Sequence, residues 1–154
     1  MGAIETQRAT AAEWLAAAHT SPQCVYKEWL EQRFPLFPLG RRWDVVKVPA
    51  PDAHTVRCLL GKPGVNGPIL HDPRRRALYI LVPAGTATGW ALPGTTCLGT
   101  GSYLGVPAPS HTAPTGYHWA IPPDGTGQLT DPLALRRALS SAATALNRQG
   151  DSPR

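Results

Sequence analysis

The side chains able to do chemistry are few and scattered. His71 and Asp72 are adjacent, and Asp44, His54, His111, His118 and Asp124 complete the pool a metal site would draw on. A metal ion needs several nitrogen, oxygen or sulfur donors converging on one point. No spacing in the chain unites these residues. Strand ends can still bring distant ligands together, so a surviving metal site would involve Asp44, His71 and Asp72. The cysteines are Cys24, Cys58 and Cys97, far apart and in no C-x-x-C pair. Neither a disulfide framework nor a structural zinc site is expected from that pattern. Small buried thiols in a reducing compartment are expected instead. Cys97 has no basic sequence neighbour to make it reactive.

Motifs for nucleotides and nucleophiles are missing. Gly99-Thr100-Gly101-Ser102-Tyr103-Leu104-Gly105 lacks the spacing of a dinucleotide fingerprint, and a strand-like segment follows it where a helix is required. There is no P-loop and no nucleophile-elbow serine. No cofactor and no catalytic set are therefore expected. Trp43, Trp90 and Trp119 read first as core anchors and second as platforms on which bases stack. His118 and Trp119 are neighbours in an alternating segment, so one should face the core and the other water.

The net charge is +5, and its distribution matters more than its sign. Most basic residues lie between Lys27 and Arg76, and none lies between Arg76 and Arg136. Arg41-Arg42 and Arg74-Arg75-Arg76 are the densest spots. They flank two expected strands, and suitable strand ends would place them on one rim. Arg41, Arg42, Arg74, Arg75 and Arg76, with Trp43 as a stacking surface, are the candidate contacts for weak, charge-led nucleic-acid binding. A solvated arginine-rich loop has the same composition, and a protein partner is the alternative to nucleic acid.

These residues must be positioned by elements the sequence also announces. Thr10-Ala11-Ala12-Glu13 is a capping box opening a helix to about residue 19. Ser21-Pro22 opens a second helix, with Val25 and Trp29 on one face, and Pro35 and Pro38 end it. Trp43–Val48 reads as a strand, and Asp52 caps a short helix holding Val56, Leu59 and Leu60. Residues 68–71 and 77–82 read as strands, the second apolar enough to be buried on both faces. Residues 85–90 suggest a short helical turn. Residues 96–98 and 102–106 suggest one interrupted strand or two short ones, and 117–121 another strand. Asp131-Pro132 opens a last helix with Leu135, Leu139, Ala142 and Leu146 on one face.

The chain has 154 residues, 42% of them hydrophobic, enough for one core. Fifteen glycines and 17 prolines make it turn-rich. The expectation is a single α+β domain over 9–149 between flexible tails at 1–8 and 150–154. Its sheet should be mixed or antiparallel, with helices packed on one side. No apolar run is long enough for a membrane span and no signal architecture opens the chain, so a soluble, cytoplasmic protein is expected.

The segment Gly99–Trp119, GTGSYLGVPAPSHTAPTGYHW, resembles the closing part of bifunctional DNA primase/polymerase N-terminal (prim-pol) domains. There a glycine-rich entry leads to a strand, a "VxPPS"-type loop and a strand with an aromatic pair. Here these are Gly101–Leu104, Val106–Ser110 and Tyr117-His118-Trp119. Phe37-Pro38-Leu39-Gly40 is similar to the family's "hxPLxPGxK" start. Gly40–Val46, Val82–Trp90 and Pro122–Pro132 resemble stretches of small actinobacterial relatives. The likeness spans roughly 35–135. It implies a prim-pol-like domain with an RRM-like core. It also implies an active site of two aspartates in D-x-D, a third acid, and a histidine in S/T-x-H. This chain departs from that pattern. It has no D-x-D, Asp44 is followed by Val45-Val46, and Ser110-His111 lacks the spacer. Two hard cations cannot be held without converging carboxylates. The resemblance therefore implies a catalytically degenerate domain acting as a binding or accessory module; the alternatives are a protein-interaction domain with no nucleic-acid role and, behind it, a metal-dependent nucleotidyltransferase with a degenerate site.

Overall fold

The structure is a computed structural model that describes residues 10–140. The expected tails, and Ala142 and Leu146 of the last helix, lie outside the described residues. The elements in chain order are α1 (Ala11–Ala16), α2 (Pro22–Leu30), β1 (Leu36–Pro38), β2 (Trp43–Pro49), α3 (Ala53–Leu60), β3 (Ile69–Asp72), β4 (Ala77–Pro83), β5 (Thr96–Leu98), β6 (Tyr103–Gly105) and β7 (His118–Ile121). A further helix, α4, covers residues 132–140. Among the described residues, no helix is long and apolar enough to cross a membrane.

The architecture is α+β around a five-stranded antiparallel sheet in the order β5-β2-β4-β3-β7. β4 lies at the centre because its side chains are apolar on both faces, and Ala77 to Val82 are all buried. β2 and β3 are both antiparallel to β4, so they run parallel to each other with α3 crossing between them. β5 returns antiparallel on the far side of β2. The order β5-β2-β4-β3 is that of an RRM-like core in which turns at 84–89 replace the second helix.

Both faces of the sheet are covered, which corrects the expectation of helices on one side. On one face Trp43, Val45, Leu70, Tyr79, Leu81 and Trp119 pack against α1, α2 and the two-stranded β1–β6 ribbon. On the other, Val46, Val48, Ile69, Leu78, Ile80 and Val82 pack against α3 and α4. His118 and Trp119 are therefore both buried, where strict core-and-water alternation placed only one inside. β1 was hidden in the sequence by its flanking prolines. Residues 96–106 form two strands belonging to different sheets.

Local signals set the entry of each helix. Thr10 Oγ1 accepts from Glu13 N–H at 3.0 Å, and the Glu13 carboxylate accepts from Thr10 N–H at 3.3 Å. Asp52 caps α3 by accepting from the Thr55 N–H and hydroxyl, each at 2.8 Å. Ser21 makes no cap bond; its hydroxyl donates to Cys24 Sγ, and Pro22 at the first turn suffices. In β7 the register shifts so that Trp119 lies opposite Leu70 while Ile121 lies opposite Ile69. The extra residue, Ala120, turns Trp119 and Ile121 to opposite faces although they are two apart.

Asp44 ties the end of β2 to the turns after β4. Its side chain is 1% exposed, and Oδ2 accepts from the Gly85 N–H at 3.0 Å and the Ala87 N–H at 2.8 Å. Gly99 lies against this carboxylate, where a Cβ would stand 3.1 Å from Oδ2 and 2.8 Å from the Ala87 methyl. Charge-assisted bonds of this kind contribute about 1.5–3 kcal/mol each. Asp44→Ala should therefore destabilise the fold by about 3 kcal/mol, and Asp44→Asn by clearly less, because its amide oxygen still accepts. Denaturant midpoints of the three proteins check this. Equal midpoints for Asp44→Ala and the unaltered chain would show that the carboxylate is not an anchor.

Candidate cleft on the open end of the sheet

The face of the sheet beneath the β1–β6 ribbon is not covered along its whole length. Toward the end of β2 a cleft of about 730 Å³ remains open. Lys47 and Tyr79 are opposite each other on β2 and β4 and form its floor, beside Leu98 of β5. Alternation decides this: Trp43, Val45 and Lys47 share a face, and only Lys47 escapes the cover. The β3–β4 turn brings in Asp72, Arg74 and Arg75, and the ribbon supplies Leu36 and Tyr103 as a wall. Tyr117 and Phe34 close the remaining side.

That wall is an aromatic cluster. The Phe34 and Tyr117 rings meet edge to face with centroids 5.4 Å apart, and Tyr117 meets Tyr79 at 6.2 Å. The Tyr117 hydroxyl donates to the Gly105 carbonyl at 2.6 Å, fastening the wall to β6. Burial pushes the Tyr117 phenol above its ordinary range, with Tyr79 and Asp72 adding to the effect. Burial, then Asp72, does the same to Tyr79. Both remain neutral donors at physiological pH. Three cations, Lys47, Arg74 and Arg75, face one carboxylate, Asp72. That carboxylate accepts from the Arg75 N–H at 3.2 Å and lies 3.8 Å from its guanidinium. The Arg75 side chain is largely exposed, so this pair is weak.

The candidate residues read from the sequence divide sharply. Arg74 and Arg75 line the cleft, and exposed Arg76 follows them in the same turn. Arg41 and Arg42 are exposed at the other end of the sheet. Trp43 is opposite Pro83 and Pro49 is opposite Ala77, so the two arginine clusters flank opposite ends of β2. Six residue steps at about 3.3 Å put those ends roughly 20 Å apart. The single rim that would have joined them does not form. Trp43 is 2% exposed and stacks on Phe37, with centroids 6.0 Å apart, so it anchors the core and presents no platform. Lys47 and Tyr103 were missed. Only the register and the ribbon reveal them, and a lone lysine in an apolar strand was the available hint.

The metal candidates separate too. Asp44 lies opposite Val82 and Asp72 opposite Ala77, which puts them on opposite faces and about 17 Å apart along β4. His71 shares the Asp44 face, next to His118. Burial, then His118, lowers the His71 pKa below its ordinary value, with Asp72 opposing. His54 is on α3, His111 packs on Phe34, and Asp124 bonds Thr126 in its own turn. Among the described residues, no three His, Cys, Asp or Glu side chains converge as a metal site would need.

No family model, curated protein or solved structure matches the chain.

The cysteines also depart from expectation, since Cys24 and Cys58 are exposed and only Cys97 is partly buried. Burial, reinforced by the Asp44 charge, pushes the Cys97 thiol up to about 12. At pH 8 an ordinary thiol is about one-quarter thiolate, and one at that value roughly one part in ten thousand. Iodoacetamide at pH 8 should reach exposed Cys24 and Cys58 and label partly buried Cys97 at least a hundredfold more slowly than either. The difference should vanish in denaturant. Mass spectrometry of timed digests checks this, and equal labelling in the native protein would contradict the burial of Cys97.

Proposed function

We propose that this chain is a prim-pol-like domain without polymerase chemistry, a binding module that holds a single-stranded polynucleotide across the cleft. The observation that carries the reading is the cleft's composition: Lys47, Arg74 and Arg75 stand beside the exposed ring of Tyr103. Such a surface suits a ligand that alternates phosphate charge with flat bases. Guanidiniums pair phosphates through parallel N–H donors, and Lys47 acts as a point charge on the floor. The lone acid, Asp72, leaves no pair of carboxylates to hold the two cations that nucleotidyl transfer uses. The resemblance of Gly99–Trp119 to prim-pol domains supports the same class of ligand. Binding led by so few cations is weak and falls with salt.

A protein partner is the second reading, and a specific observation favours it. Leu36 is 63% exposed and Tyr103 64% exposed on the same ribbon, an apolar edge beside the cleft. Contact there would bury apolar area and respond little to salt.

Titration of fluorescent oligothymidylate at several salt concentrations separates the two. Three phosphate contacts to a single strand predict a log–log salt slope of about −2. Replacing Lys47, Arg74 and Arg75 by Ala should flatten that slope and weaken binding at least tenfold. Replacing Arg41 and Arg42, at the far end, should leave both nearly unchanged. Tyr103→Ala should weaken binding by about 1–3 kcal/mol if a base stacks there. No binding at low salt, or equal losses from both arginine clusters, overturns the polynucleotide reading in favour of the protein one.

A further inference from the structure

The face opposite the cleft holds a second cluster of chemistry-bearing side chains. His71 on β3 and His118 on β7 lie directly opposite each other in the antiparallel ladder. Side chains so placed have Cβ atoms about 4.5–5.5 Å apart. Their rings are 5.2 Å apart between centroids, and their planes cross at 69°. The His118 ring is held, since it is 4% exposed and its Nδ1 lies 2.6 Å from the Gly116 carbonyl oxygen. A carbonyl only accepts, so Nδ1 carries the hydrogen. In the neutral ring the lone pair is then on Nε2. A histidine that donates one ring N–H to a backbone carbonyl and keeps the other nitrogen free has the arrangement of a metal ligand with its outer partner in place.

From this geometry we propose that His71 and His118 form a two-histidine site for a borderline divalent cation of the zinc, nickel or copper class. Two nitrogens at about 2.0–2.1 Å from a tetrahedral ion stand about 3.3 Å apart, which the half-buried His71 ring would meet by turning toward the held His118 ring. Imidazole donors without carboxylates select these metals over magnesium and calcium. Asp72, the nearest acid in sequence, is on the other face of β3 and adds no ligand. Half-buried His71 gives the entry, and water completes the coordination. Two protein ligands make an exchangeable site, not a closed structural one. The bound ion would clamp the edge strand β7 to β3 beside the bulge at Ala120, where the ladder is irregular.

Isothermal titration of the tag-free full chain with zinc chloride tests the site, followed by long-range proton–nitrogen spectra of the histidine rings. One equivalent should bind in the micromolar range, with the Nε2 resonance of His118 shifting on binding. A second donor pair complicates the reading: on α3, Cys58 Sγ lies 3.6 Å from His54 Nε2, and both residues are exposed. The double variant His54→Ala/Cys58→Ser should therefore keep the affinity, while His71→Gln weakens it at least tenfold. His118→Gln should do the same, and if that buried substitution fails to fold, half-exposed His71→Gln decides. Undiminished affinity in His71→Gln, loss of binding in the α3 double variant, or no heat at millimolar zinc overturns the proposal.

Discussion

The two-sided burial of β4 is the constraint from which the rest of the molecule follows. A strand whose side chains from Ala77 to Val82 are apolar but for the Tyr79 hydroxyl, and all buried, cannot sit at a sheet edge. It must be flanked by β2 and β3 and covered above and below. The chain meets this with α3 and α4 on one face and with α1, α2 and a short β ribbon on the other. The ribbon is a small cover. It carries Phe37 into a stack with Trp29 and Trp43, at 6.4 and 6.0 Å, and then runs out. The exposed end of that face becomes the cleft, so the candidate site is the part of the sheet that the second layer fails to reach. An RRM-like sheet usually leaves this whole face free for bases. Here only its end is free.

Asp44 shows how burial changes the meaning of a carboxylate. In sequence it is an acid in a strand, the natural first candidate for a metal ligand. In the structure its Oδ2 organises the backbone of the turns after β4, and those turns carry the chain across to β5. Oδ1 has no hydrogen-bond partner among the described residues. Water cannot reach either oxygen easily, so the two N–H donors act in a low-dielectric setting where each bond is worth more than at a surface. The same carboxylate raises the Cys97 thiol, which lies on the neighbouring strand. An acid committed to backbone donors in this way is unavailable to a substrate.

What the sequence made legible was whatever depends on neighbours along the chain. The capping box at Thr10, the Asp52 cap, the strands near Trp43 and Ala77, and the buried character of β4 all follow from local patterns. What it hid depends on register. Nothing in the order of residues says that Pro49 lies opposite Ala77, yet that pairing places the two arginine clusters at opposite ends of β2. Nothing says that His71 and His118, far apart in the chain, share one rung of the ladder. β1 was hidden because its two prolines read as the end of a helix, while an edge strand tolerates both. The one-sided helix layer was an expectation of composition: all four helices bury apolar residues, and only the strand faces decide which pair goes where.

Strand parity also decides which face of the sheet Asp44 can serve. On β2, Trp43, Val45 and Lys47 lie on the cleft's side of the sheet, only Lys47 lines the cleft, and Asp44 points the other way. Moving an acid by one position in a strand changes its face entirely. Asp44 is therefore not a displaced member of a D-x-D pair that a small shift would restore. A pair serving this cleft from β2 would have to stand at Val45 and Lys47. One of those positions is closed in the core, and the other carries a cation. That cation gives the floor of the cleft a positive charge, the sign the proposed polynucleotide reading requires. Placing a carboxylate pair there would mean replacing a core residue and reversing a charge together, and burying an acid at Val45 works against the core.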